Sequence, residues 1–156
     1  MRTLETSRIA TQLERAMRGP AWHGPSMRDL VDGVSAAAAA AKPMAGGHSI
    51  HELVAHAAAW LEIAGARVAG TAKDPVTENE NWPAVGAGAR DWTATVSRLD
   101  AAASDLAALV RSLPDERLDD ALAREGDTWT VYDTLHGAVQ HLLYHAGQVA
   151  LLRKGL

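Results

Sequence analysis

Apolar residues fall at helical spacing along most of the chain. Ile9, Leu13 and Met17 recur every fourth position and Gly19-Pro20 ends the pattern, so a first helix is expected over roughly residues 4–18. Ser26, with Asp29 three positions on, forms a capping box ahead of Leu30, Val31 and Val34. A short helix is expected there, broken at Gly33 and recapped by Ser35 for the alanine run 36–41. Ser49-Ile50-His51-Glu52 is a second capping box, and Ile50, Leu53, Val54, Ala57, Trp60, Leu61, Ala64 and Val68 then trace one apolar arc, the mark of a long core helix. Residues 70–90 are polar, rich in Gly and Pro and without a period, and read as a long loop of the kind that often carries function. From Asp91 onward, Trp92, Val96, Leu99, Ala103, Leu106, Val110 and Leu113 keep to a narrow stripe, a third long helix stopped by Pro114. A polar stretch, residues 114–129, leads to Thr130-Val131-Tyr132-Asp133, another capping box, and to a last helix running nearly to Leu156. The short run 128–132 is β-prone, but the capping box claims most of it, so no strand is expected. Four long helices joined by substantial loops predict an all-α four-helix bundle.

Composition narrows the chemistry. A chain of 156 residues has room for one domain core. Fifteen Lys and Arg against nineteen Asp and Glu give a net charge of −4, and with a sequence pI near 5.9 there is no basic footprint to suggest nucleic acid or an anionic membrane as a partner. The lack of cysteine removes disulfides, thiolate ligands and an attacking protein thiol together, so a metal site has to be built from His, Asp or Glu. The first twenty residues have no secretory apolar region and no run of about 18 apolar residues occurs, which makes a cytoplasmic location the expectation. Five Trp and no Phe, set among abundant Ala, suggest closely packed helices in which each Trp fills a particular gap.

Histidines carry the candidate chemistry. His141 and His145 lie four apart on the last helix, so both rings leave the same inward face one turn apart and can converge on one ion. Two buried imidazoles side by side need partners for their ring nitrogens; a metal ion supplies them, and a hydrogen-bonded core pair is the alternative. Leu142 stands where the glutamate of an HExxH zinc protease would be, so that mechanism is not supported. His56, between Leu53 and Trp60 at the edge of the apolar arc, faces the core either as a hydrogen-bonded histidine or as a ligand. His136 is expected to face away from the pair, and His51 to be solvated on the far side of its helix.

The segment GAVQHLLYHAGQVALLRK (residues 137–154) resembles the terminal signature HxxYHxGQ of the DinB/YfiT-like superfamily, and HSIHELVAHAAAW (residues 48–60) resembles that family's first metal-histidine helix. AWHGPS (residues 21–26) and ENENWP (residues 78–83) lie where the family carries similar segments, so the resemblance covers nearly the whole chain. It implies a four-helix bundle holding a divalent metal, zinc or nickel, through His56, His141 and His145, with an open coordination position of a catalytic kind. It further implies either a hydrolase or an S-transferase, the metal activating water or a low-molecular-weight thiol against a small electrophilic substrate; a non-catalytic stress-response protein that binds metal or a small ligand is the alternative. A thiol would have to be a cosubstrate, since the chain has none.

Around these ligands, Gln148 and Tyr144 are the candidate catalytic residues. Gln148 lies one turn beyond His145, placed to orient a water or ligand or to serve as a packing amide, and Tyr144 is placed to reach the pocket rim or to act as a structural side chain flanking the packed helix. His23 and His48 are solvated loop residues or pocket-entrance groups. Glu78 and Glu80 are solvated or supply a base, and Glu52 is the capping partner of Ser49. Leu135, Val139, Leu143 and Ala150 give the last helix a second apolar sector, which is either fully enclosed or covered by a partner subunit; with the resembled family's habit of pairing, a homodimer is expected.

Overall fold

Side-chain caps fix where the helices begin. In the computed structural model, which describes residues 4–124 and 127–155, α1 spans Glu5–Arg18, α2 Met27–Val31, α3 Ala36–Ala40, α4 Ile50–Val68, α5 Glu78–Asn81, α6 Ala89–Ser112 and α7 Val131–Arg153. A 3-10 helix, Asp115–Asp119, follows α6. The boxes expected at Ser26, Ser49 and Thr130 are all formed, each hydroxyl accepting from the N–H three residues on while that residue's carboxylate accepts from the cap N–H. Ser35 caps α3 through the Ala38 N–H. The last helix, expected to run nearly to Leu156, ends at Arg153; Leu156 lies outside the described residues, as do Glu125 and Gly126 of the polar stretch.

The four long helices pack as a closed ring in the order α1, α6, α4, α7, with α4 against α6 the most extensive contact. Their stripes meet in a core that includes Leu13, Met17, Ile50, Leu99, Leu135 and Leu142, all essentially buried. The chain is thus the all-α bundle expected from the pattern. Among the described residues no helix is long and apolar enough to cross a membrane.

Three expectations are corrected. Two short strands, β1 (Ala121–Arg124) and β2 (Asp127–Thr130), pair antiparallel with Leu122 opposite Trp129 and Ala121 opposite Thr130. The cap and the strand do not compete: an N-cap residue is extended, and Thr130, at φ −87° and ψ 168°, ends β2 and caps α7 at once. The expected loop 70–90 contains α5, capped by Thr77 and Glu80, and gives its last two residues to α6. His51 is not solvated. It is buried, its Nε2 2.8 Å from Thr95 Oγ1 and its ring edge-on to Trp92, because α3 and α6 both pack on α4 and close over the face that a two-sided wheel assigns to water.

One cap comes from far away in sequence. Leu4 offers α1 no side-chain bond; instead the Asp115 carboxylate accepts from the Glu5 and Thr6 N–H groups at 2.8 and 3.0 Å and from Thr6 Oγ1 at 2.9 Å. A carboxylate there satisfies two orphan donors and meets the positive end of the helix dipole. Asp115→Ala is therefore expected to lower unfolding free energy by about 1–2 kcal/mol in urea titration, and an unchanged midpoint would show that this cap contributes nothing.

Candidate metal centre

The packing of α4 on α7 brings three imidazoles together. His56 comes from the middle of α4, and His141 and His145 from successive turns of α7. His141 Nε2 lies 3.1 Å from His56 Nε2 and 3.0 Å from His145 Nε2, and the three residues form a cluster able to hold a metal ion. His56 and His145 are buried, and His141 is partly so.

Partners at the far ring nitrogens decide what the near ones can do. His56 Nδ1 sits 2.5 Å from the Asn81 backbone oxygen, which can only accept, so Nδ1 carries the proton and Nε2 presents a bare lone pair. His145 Nδ1 donates in the same way to Gln148 Oε1 at 2.6 Å. Two bare lone pairs thus face His141 Nε2, and a single N–H there cannot serve both well. A cation at the convergence point serves all three. Imidazole nitrogens on a common tetrahedral zinc lie about 3.3 Å apart, close to the spacing found, so the donor set and its geometry fit a divalent ion with nitrogen preference. Tying the outer nitrogens of His56 and His145 to carbonyl-type oxygens is how metal-binding histidines are commonly fixed.

A short strap covers the cluster. Trp82, just past α5, stacks on His56 with ring centroids 3.8 Å apart and on His48 at 3.6 Å, so the indole is held between two imidazoles. Asn81 adds a second tie, its Oδ1 accepting from Trp60 Nε1 at 2.9 Å. The periodicity of the sequence could not single out these two residues: one acts through a backbone carbonyl, which any residue type supplies, and the other lies in an aperiodic segment. The clue available was Trp82-Pro83 inside the family-like ENENWP.

Burial holds all three imidazoles below the ordinary histidine value of 6.5. His141, with His145 and His56 as neighbouring like charges, is pushed down to about 4. For His145 the Gln148 bond pulls the other way but does not overcome desolvation.

The other candidates fall at different distances from this centre. Gln148 touches the cluster through His145. Tyr144 is mostly exposed, its ring edge-on to His145 at 5.1 Å between centroids. His48 reaches the site through Trp82, with Nδ1 3.6 Å from Glu52. Glu52 itself is the Ser49 capping partner and pairs with Lys42. Glu80 is occupied with Thr77, while Glu78 is exposed on α5, its charge near enough to His56 to favour protonation there. His23 lies on a groove between α1 and α7, away from the cluster. His136 packs on Tyr132 and takes no part.

A family model described as the DinB superfamily matches residues 21–149. The chain belongs to that superfamily, a class to which both the helical bundle and the three-histidine cluster conform. Comparison with curated proteins and with solved structures gives no match.

Two measurements test the centre. Alanine at His56, His141 or His145 is expected to abolish retention of zinc by elemental analysis, whereas alanine at His136 leaves it unchanged; retention by the His141 or His145 variants would refute the assignment. In the metal-free protein, the unfolded chain takes up protons near 6.5 while folded His141 resists them to about 4. Stability is then full above the unfolded value and is lost progressively as pH falls between the two. Urea midpoints should drop from pH 7 to pH 5, less so in His141→Leu, and a pH-independent midpoint would contradict the depressed values.

Proposed function

We propose that this chain is a metal-dependent enzyme of the DinB type, using zinc or nickel at His56, His141 and His145 to activate water or a low-molecular-weight thiol for attack on a small electrophilic substrate. The observation that carries the reading is the convergence of two bare Nε2 lone pairs on His141, each fixed by an outer hydrogen bond. A divalent ion held by three neutral imidazoles supplies Lewis acidity, lowering the pKa of a water or thiol that it takes up. The protein's own groups do the rest. Asn81 and Gln148 hold the rings in the tautomer that directs Nε2 inward, the Trp82 strap limits water at His56, and Tyr144 stands at the outer edge of His145, where a substrate or cosubstrate would pass.

The same reading takes the protein as a homodimer. Trp22 is fully exposed beside a groove of about 640 Å³ lined by Leu30, Val139, Leu143 and Ala150, so one face carries both a projecting apolar group and a cavity large enough to receive one.

The test uses the metal-loaded protein, a panel of low-molecular-weight thiols and a chlorinated aromatic electrophile, where thiolate sulfur displaces chloride. Metal-dependent conjugate formation, lost in His145→Ala, is the expected result; hydrolysis of a simple ester in its place assigns water as the nucleophile. No turnover of either kind would overturn the enzymatic reading. Chelation should leave circular dichroism helical, since the four stripes carry the core, and loss of helicity would instead mark a structural staple.

A further inference from the structure

A cavity of about 210 Å³ opens beside the histidine cluster, and its walls include Trp60, Arg67, Trp129, Thr134 and His141. Arg67 is unusual among the cations of this chain. Its side chain is only 7% exposed, and among the described residues its Nε is buried without a hydrogen-bond partner. The guanidinium lies over the Trp60 ring, 5.4 Å from the centroid, and among the described residues its one hydrogen bond runs from Nη2 to Asp74 Oδ1 at 2.9 Å. A guanidinium has five N–H donors in a planar fork, and the Nε N–H of this one is unspent in a place where leaving it unspent is unfavourable. Asp133, the acid of the same wall, has its carboxylate turned to the Thr130 N–H and hydroxyl at 3.0 and 2.7 Å, at the head of α7.

We propose that this cavity binds the carboxylate end of the substrate at Arg67, with an apolar or aromatic body between Trp60 and Trp129 and the far end directed at His141. A planar carboxylate supplies the acceptors that the fork lacks, and the two indoles select a flat apolar group next to it. Arg67, Trp60 and His141 line one continuous surface, with Trp60 and His141 ring centroids 5.6 Å apart, so an anchored acid presents its other end to the cluster. The inference rests on the proposed function for its reacting end, but the anchoring itself needs no metal.

The experiment is an NMR titration of the tryptophan indole N–H signals with benzoate and with its neutral isostere benzamide, on chelator-treated protein. Benzoate is expected to shift Trp60 and Trp129 saturably while Trp22 and Trp92 stay in place, and benzamide to bind at least about tenfold more weakly, as losing a charged hydrogen-bond pair implies. Arg67→Lys should bring benzoate down to the level of benzamide. Because replacing a buried arginine risks the fold, Gly137→Leu serves as a second variant: Gly137 lines the cavity, and a Cβ there meets nothing within 4 Å, so a larger side chain fills the space without disturbing the core. It should abolish binding of both compounds. Equal affinity for benzoate and benzamide, no response from either, or an Arg67→Lys variant that binds benzoate as before would overturn the proposal. Zinc content measured on the same proteins as purified, before chelation, separates the two readings. Protein that binds benzoate but retains no zinc defeats the metal centre alone, and protein that retains zinc but treats acid and amide alike defeats this site alone.

Discussion

Two imidazole nitrogens held within hydrogen-bond distance of a third constrain everything around them. Lone pairs at that spacing repel unless a proton or a cation lies between, and a buried imidazole cannot turn to water for relief. The structure answers by giving two of the rings an acceptor at Nδ1, from a backbone carbonyl on one side and an amide oxygen on the other. Only then is the direction of each Nε2 settled. The contact of α4 with α7 sets how close the rings come, and the α5 strap sets which way His56 faces.

Much of this was legible in the sequence because helices announce themselves twice, by period and by cap. The stripes of α4, α6 and α7 and the boxes at Ser49 and Thr130 agree on where the helices lie, and the four-residue spacing of His141 and His145 places both on one face without further knowledge. Illegible parts depend on what lies opposite. His51 reads as solvated on its own helix, and it is α3 and α6 that bury it. β1 has no alternation long enough to register, and β2 is hidden behind a cap whose extended backbone is compatible with a strand. Asn81 acts through its carbonyl, and Arg67 matters because of where Trp60 and Asp74 are. None of these is a property of a local window.

The strap shows how an aperiodic segment can be specific. Thr77 and Glu80 close a single helical turn, which presents the Asn81 carbonyl to His56 and the Asn81 side chain to Trp60, and the chain then lays Trp82 flat between His48 and His56. Two hydrogen bonds and two ring stacks pin the loop at the one place where it meets the site. Residues with no part in holding an ion thereby decide which nitrogen of His56 is offered.

The borrowed cap on α1 has a consequence for local stability. A helix that begins without a cap of its own relies on Asp115, more than a hundred positions along the chain, so its first turn is complete only when the segment after α6 is also in place. The amides of Glu5 and Thr6 are thereby coupled to a distant part of the chain. In hydrogen exchange they would open together with the 3-10 turn as one cooperative unit, and α1 would loosen from its beginning while α4 and α7, capped locally, keep the histidines in register.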